Sequence, residues 1–212
     1  MIALLLVYSF FLVVSAFFWK NEEVVASRNF KPLVSVLVPF RNEEQNLQPL
    51  IEFLAQQSYQ HWELILIDDH SEDRSQSVLD EALANFPHQV SRLCLENDFG
   101  KKAAIQYGVA KSRGELIITT DADCLMGPNW LSSMIQPFRK NEVQMVLGAV
   151  ALMGDSLFQK MQSLEFSALM GITKVMAELN TPNMANGANL AYRKSAFEAV
   201  EAYRAQETPS GD

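Results

Sequence analysis

Residues Leu33–Asp69 read LVSVLVPFRNEEQNLQPLIEFLAQQSYQHWELILIDD. The first part, Leu33–Val38, is an apolar run rich in β-branched residues and is ended by Pro39. Such a run reads as a strand buried on both faces. Leu47, Leu50, Ile51 and Leu54 follow at i, i+3, i+4 and i+7, the spacing of one helix face. A second apolar run, Leu64–Ile67, stops at Asp68. Strand, helix and strand in this order make a βαβ unit, which implies parallel strands joined by a right-handed crossover.

The alternation continues down the chain. Val78, Leu79, Ala82, Leu83 and Phe86 predict a helix stopped at Pro87, and Val90–Leu95 a third strand. Lys101–Lys111 reads as a helix and Leu116–Thr120 as a fourth strand ending at Asp121. Trp130, Leu131, Met134, Ile135 and Phe138 predict another helix face, and Val143–Val150 a further strand. From Ser156 to Asn180 the pattern becomes one long helix containing Met161, Met170 and Met176, methionines of the kind that usually fill a core. A turn-rich loop runs from Asn180 to Asn189, followed by a short strand over Ala188–Tyr192 and a helix over Lys194–Tyr203. The expected class is α/β, a Rossmann-like, mostly parallel sheet flanked by helices.

Composition narrows the function. The chain has 212 residues, 49% of them hydrophobic, and a net charge of −8. That is enough apolar material for a core, and the acidic balance argues against nucleic-acid binding, which needs a basic surface. The two cysteines, Cys94 and Cys124, are too few for a disulfide framework and have no zinc-site spacing.

Ile2–Trp19 is uncharged throughout. As a helix it measures about 27 Å, close to the hydrocarbon thickness of a bilayer. A signal peptide would carry basic residues before its apolar stretch; here Lys20, Arg28 and Lys31 follow it. By the positive-inside rule, residues 1–20 are expected to be a transmembrane anchor with the following domain in the cytoplasm. Residues 21–32 then form a juxtamembrane linker, and residues 33–212 the folded domain.

In an open α/β sheet, ligands bind at the carboxyl ends of the strands. Polar residues collect there: Arg41, Asn42, Glu43 and Glu44 after the first strand, Asp68, Asp69, His70, Ser71 and Asp73 after the second, Asp121 and Asp123 after the fourth. Three acidic strand ends repel one another unless something positive lies between them. A divalent metal with a phosphorylated ligand meets that need. Asp121 and Asp123, at i and i+2, would point to one face of an extended backbone and suit Mg²⁺ or Mn²⁺. Asp68 and Asp69 are adjacent, so one is expected to face the crevice and the other to cap the next turn. Ser71 and Asp73 read equally well as helix caps. Gly100-Lys101-Lys102 opens a helix, a place suited to phosphate, although the P-loop spacing is absent and ordinary solvated lysines fit the local pattern equally well. His61, His70 and His88 lack metal-ligand spacing and are expected at the surface, with only His70 near the crevice. Cys124 is expected to pack rather than react.

The segments VSVLVPFRNEE (Val34–Glu44), LIDDHSED (Leu66–Asp73), GKKAAIQYG (Gly100–Gly108), TTDADC (Thr119–Cys124) and NGANLAYRKSAF (Asn186–Phe197) together resemble the inverting glycosyltransferases of family 2, which have the GT-A fold. The membrane-anchored processive or lipid-linked members look most similar. The resemblance implies that Pro39, Asn42 and Glu43 line a nucleotide pocket. It implies that Asp69 hydrogen-bonds the base with Asp68 in support, and that Lys101 lies near the nucleotide. Asp121 would contact the ribose or sugar, and Asp123 would hold Mg²⁺ or Mn²⁺ on the diphosphate. Asn186, Gly187 and Ala188 would form the loop beside acceptor and donor sugar. The implied partners are a nucleotide-diphosphate-sugar donor, UDP-sugar favoured, and a saccharide or lipid-linked acceptor of the cell envelope. The family's base is an aspartate of an acidic pair, which makes Asp212 the base or its neighbour. The later Gln-x-x-Arg-Trp motif is absent, so the chain is expected to be truncated near the base and to transfer little by itself.

Two rival readings accompany this one. A degenerate transferase would bind nucleotide sugar at the membrane without catalysis. A haloacid-dehalogenase-like phosphotransferase would use an Asp-x-Asp pair as nucleophile and acid/base, although that pair normally ends the first strand of its domain and here ends the fourth. A Rossmann dehydrogenase is disfavoured, since no G-x-G-x-x-G follows the first strand.

Overall fold

The computed structural model describes residues 30–179, 181 and 184–200. The anchor segment Ile2–Trp19 and the candidate base Asp212 lie outside them. Among the described residues no helix is long and apolar enough to cross a membrane. The described residues divide into two compact units, a larger one within 30–148 and 187–200 and a smaller one within 149–186.

The larger unit is built on a sheet of six strands: β1 (Val34–Phe40), β2 (Trp62–Asp68), β3 (Gln89–Cys94), β4 (Leu116–Thr120), β5 (Met145–Leu147) and β6 (Asn189–Arg193), in the order β3-β2-β1-β4-β6-β5. The first four are parallel, and β6 runs antiparallel to both β4 and β5. Helices α1 (Leu47–Ala55), α2 (Ser75–Ala82), α3 (Gly100–Lys111) and α4 (Trp130–Ile135) connect them.

Strand periodicity divides the core into two layers. Val34, Val36, Val38, Leu64 and Leu66 face one side, where Leu47, Leu50 and Leu54 of α1, Leu79 of α2 and Leu131 of α4 cover them. Leu37, Ile65, Ile67 and Ile117 face the other, packed on Ala104, Ile105 and Val109 of α3. Every residue of β1, β2 and β4 is buried. The strand β1 continues through Pro39. Asp69 N–H donates to Phe40 O at 2.9 Å, so Phe40 faces β2 and Pro39 faces the β4 side. The β4 ladder ends at Leu37, so no partner there requires the missing N–H.

A polar network holds the opposite, amino ends of the strands. Ser35 Oγ donates to Glu63 Oε1 at 2.7 Å and accepts Gly114 N–H at 2.9 Å. Arg113 donates to Glu63 through its main-chain N–H (2.8 Å) and its Nε (2.9 Å). Gly114 fits because a Cβ there would lie 2.5 Å from Ser35 N, a backbone atom that cannot yield. Gly114→Ala is therefore expected to destabilise the fold by about 2 kcal/mol, measured by urea unfolding. An unchanged midpoint would show that the loop relaxes freely.

Four elements differ from the sequence expectation. The α2 helix ends at Ala82, because Ala84 N–H and Phe86 N–H bond three residues back and tighten the chain into turns. The α4 helix passes into a 3₁₀ turn at Gln136–Arg139, where Pro137 has no N–H for an α-helical bond. Only Met145–Leu147 of Val143–Val150 is strand; the expected run is longer than its partner β6, which spans only Asn189–Arg193. The helix after β6 covers Lys194–Ala199 and closes at Val200, short of the expected end at Tyr203.

In the smaller unit, α5 (Leu157–Glu178) starts with a capping box: Ser156 Oγ accepts Gln159 N–H and Gln159 Oε1 accepts Ser156 N–H. Met170 and Met176 are half-buried, but Met161 is 63% exposed beside exposed Leu157, Phe158 and Leu164, so it is not the core residue its type suggests.

Candidate functional site

The parallel strands β1, β2 and β4 deliver their carboxyl ends to one edge of the larger unit, and antiparallel β6 brings its first residue, Asn189, beside Thr120. Two loops at this edge brace each other. Asn42 N–H donates to Ser71 Oγ (3.0 Å), Glu43 N–H to Ser75 Oγ (2.9 Å) and Glu44 N–H to Asp73 Oδ2 (3.1 Å). In return Glu72 N–H donates to Asn42 Oδ1 (2.8 Å) and Arg74 N–H to Glu44 Oε2 (3.0 Å). Glu43 Oε2 accepts from Asn46 Nδ2 at 2.6 Å. Asn42 reaches this arrangement with φ +57°, a left-handed conformation that Asn tolerates better than most residues. The side chains of Asn42 and Glu43 thus hold the loop, and Pro39 is buried in the strand below. Ser71 and Asp73 likewise join the two loops. Burial works against ionisation of Asp73, but the hydroxyl and N–H of Ser75 and the N–H of Glu44 outweigh it and hold the carboxyl below its ordinary value.

The adjacent aspartates take different partners. Asp68 Oδ1 accepts Ser71 N–H at 2.9 Å, and Oδ2 accepts from Gln76 Nε2, so Asp68 caps its turn. Asp69 turns the other way. Its Oδ2 accepts Gly100 N–H at 2.9 Å, and its Oδ1 lies 3.1 Å from His70 Nδ1. Gly100 has φ +87°, which a side chain would strain although no atom crowds the Cβ position.

Lys101 brings positive charge to one of the acidic strand ends. Its Nζ lies 2.9 Å from Asp121 Oδ1 and 3.2 Å from Oδ2, with both side chains about one-third exposed. Asp121 and Asp123 do not extend the strand. Cys124 N–H donates to Asp121 O at 3.2 Å and closes a turn, with Ala122 buried, Asp121 half-buried and Asp123 exposed. The one-face argument for an extended backbone therefore fails; the turn sets the two carboxylates instead. On the expectation of a nucleotide-diphosphate ligand, Lys101→Ala should weaken its binding about tenfold, by loss of one charge-assisted contact, measured by calorimetry. Affinity within twofold of the parent would remove Lys101 from the site.

Thr119 Oγ1 donates to Gly187 O at 2.8 Å, and Cys124 Sγ lies 4.0 Å from Ala188 O, so the 187–188 segment is pinned along the end of β4. Trp130 Nε1 donates to Asn189 Oδ1 at 3.0 Å. Asn186 is the last residue of the smaller unit. Burial pushes the Cys124 thiol up, which keeps it protonated and fits a packing role. His61 is at the surface and contacts Lys31 O. His88 is not a plain surface residue: its ring lies 4.4 Å from that of Trp62, its buried Nε2 has no hydrogen-bond partner among the described residues, and burial lowers its basicity.

Among the described residues, no three His, Cys, Asp or Glu side chains come together as a metal cage. An exposed carboxylate at a strand end does suit a divalent ion that takes its other ligands from phosphate oxygens and water. Asp123 has that character. The stacking of His70 on Phe99, ring centroids 4.1 Å apart, is the feature that sequence reasoning missed. The two residues lie far apart in the chain, and an isolated Phe before a helix carries no signal.

Comparison with known proteins agrees with this architecture. The family model described as Glycosyl transferase family 2 matches residues 35–201. An undecaprenyl-phosphate 4-deoxy-4-formamido-L-arabinose transferase of Pectobacterium carotovorum is 34% identical over 133 residues, covering 61% of this chain and 40% of that protein. A dodecaprenyl-phosphate galacturonate synthase of Rhizobium johnstonii is 36% identical over 135 residues, covering 59% of this chain and 38% of that protein. The chain thus matches well under half the length of these relatives. Among solved structures, a mannosyltransferase of Pyrobaculum calidifontis in complex with GDP-Man and Mn²⁺ superposes with TM-score 0.71 at 18% identity, covering 94% of this chain and 57% of that one. At that identity the likeness is one of fold.

Proposed function

The chain belongs to glycosyl transferase family 2, and from that premise we propose that it binds a nucleotide-diphosphate sugar at the carboxyl ends of β1, β2 and β4. The sugar passes to a lipid-linked or saccharide acceptor with inversion at the anomeric carbon. One observation carries the reading: Asp69, Asp121 and Asp123 converge on one sheet edge, with Lys101 the cation paired there to Asp121.

In this reading Asp69 accepts an N–H of the base, which suits uracil, and Asp68 fixes the turn behind it. Asn42 and Glu43 hold the wall of the pocket through their loop brace. Lys101 contributes positive charge where a diphosphate docks, and Asp121 positions it while meeting the ribose or sugar. Asp123 would hold Mg²⁺ or Mn²⁺. When bound, that ion supplies neutralisation of the charge growing on the departing diphosphate. Asn186, Gly187 and Ala188 border the acceptor. For a saccharide acceptor a carboxylate, Asp212 or its neighbour, takes the hydroxyl proton as the oxygen attacks opposite the leaving group, whereas the ionised oxygen of a lipid phosphate attacks without that proton transfer. Two relatives are named for polyprenyl phosphates, which supports a lipid-phosphate acceptor. Ile2–Trp19 would keep the enzyme at the membrane with its catalytic domain in the cytoplasm, where such a lipid is within reach.

Calorimetry on the detergent-solubilised chain with UDP, GDP and their sugar conjugates, each with and without Mn²⁺, tests the reading. Metal-dependent binding of one nucleotide is expected. No binding of any nucleotide by the folded protein would overturn it. Release of the protein from membranes by high salt alone would overturn the anchor.

A further inference from the structure

We infer that His70 and Phe99 form a clamp that positions Asp69 and thereby sets which nucleobase the site accepts. The inference rests on the proposal that Asp69 reads the base.

Phe99 is 66% exposed and belongs to neither apolar core layer. Its aromatic neighbour is His70, stacked at 4.1 Å with the planes 17° apart. His70 adopts φ +61°, a left-handed conformation that costs a non-glycine residue energy unless its surroundings fix it. The kink brings the imidazole back over the preceding residue, where Nδ1 lies 3.1 Å from Asp69 Oδ1. An ionised carboxylate only accepts, so the Nδ1 must carry the hydrogen. Gly100 N–H holds the other oxygen at 2.9 Å, next in the chain to Phe99. The residues 99–100 therefore grip Asp69 twice, once directly and once through the His70 ring.

A carboxylate offers about four acceptor positions, and two are taken here. The side chain of Asp69 is 13% exposed, so what remains opens in a narrow direction. A base that presents a ring N–H to that opening is accepted: N3–H of uracil or N1–H of guanine. Cytosine N3 and adenine N1 carry lone pairs at the equivalent edge and would face the carboxylate with like polarity. Discrimination of this kind needs a carboxylate that cannot rotate away. The clamp supplies the rigidity, which makes His70 and Phe99 positioning residues.

The test is calorimetry of the full chain in detergent with UDP, GDP, CDP and ADP in the presence of Mn²⁺. The variants are His70→Ala, His70→Asn, Phe99→Ala and Phe99→Tyr, each checked for folding by circular dichroism. His70→Ala and Phe99→Ala are expected to weaken the preferred nucleotide about tenfold while leaving CDP and ADP nearly unchanged, so that selectivity collapses. His70→Asn keeps a side-chain N–H donor and tolerates positive φ, and Phe99→Tyr keeps the stack; both should restore most of the preference. Selectivity retained in both alanine variants, or an equal loss for all four nucleotides, would overturn the clamp and leave the transferase reading intact. Failure of the parent chain to bind any nucleotide would overturn both.

Discussion

Replacing Asp123 with alanine is expected to weaken Mn²⁺-dependent nucleotide binding by on the order of a hundredfold or more, the scale of effect when a preorganised electrostatic contact to a phosphate-bound charge is lost. The Asp123 carboxylate is exposed, and among the described residues the Cys124 thiol lies 3.9 Å from it. Its removal should therefore leave the melting temperature within the range of an ordinary surface substitution. Binding without metal should be unaffected, because the loss acts through the ion. A variant that binds nucleotide and Mn²⁺ as tightly as the parent would take Asp123 out of the metal role. The same substitution should abolish any measurable sugar transfer.

Glu63→Ala is expected to cost about 3 kcal/mol of folding stability, a figure at the lower end for breaking a buried ion pair because Arg113 is half-exposed. Glu63 is 3% exposed and accepts from Ser35, from the Arg113 main chain and from the Arg113 guanidinium, which also reaches Gln89 on β3. Removing the carboxylate leaves these donors facing a buried gap. Glu63→Gln should lose about half as much, since it keeps the shape and one acceptor. Burial raises the affinity of Glu63 for its proton, but the Ser35 hydroxyl and the Arg113 donors outweigh it and hold the carboxyl below its ordinary value. The folded-state value thus lies below the unfolded one of about 4.3. The network stabilises fully above that pH and loses its contribution as pH falls through the folded value. Urea unfolding between pH 3 and 7 would show this as a drop in the parent at the acid end that is smaller in Glu63→Gln. Parallel pH profiles would place the acid sensitivity elsewhere.

The contrast between these two residues shows what was legible beforehand. The parallel strands β1, β2 and β4 were readable because burial on both faces writes a continuous apolar run into the chain. Strand β5 was overestimated because the expected run is longer than its partner β6. The Asp121–Asp123 pair was visible as a strand end, yet its orientation depends on a turn closed by the Cys124 N–H, which leaves no pattern in side-chain types. Lys101 was read as part of a helix opening suited to phosphate, but its pairing with Asp121, 20 residues further on, left no pattern in the sequence. The His70–Phe99 stack and the Ser35–Glu63–Arg113 network join residues distant in the chain, and pattern reading along one segment does not reach that far.

Strand β6 also constrains how the protein is made. It fills the place between β4 and β5, yet its residues 189–193 are synthesised long after Thr120. On the ribosome, the nascent βα units up to β4 assemble with one flank of Leu116–Thr120 still unpaired. An unpaired apolar strand edge is a template for association with other chains. Translation that stalls between Thr120 and Asn189 would therefore release an aggregation-prone product, and chaperone demand should fall once the antiparallel strand emerges and closes the gap.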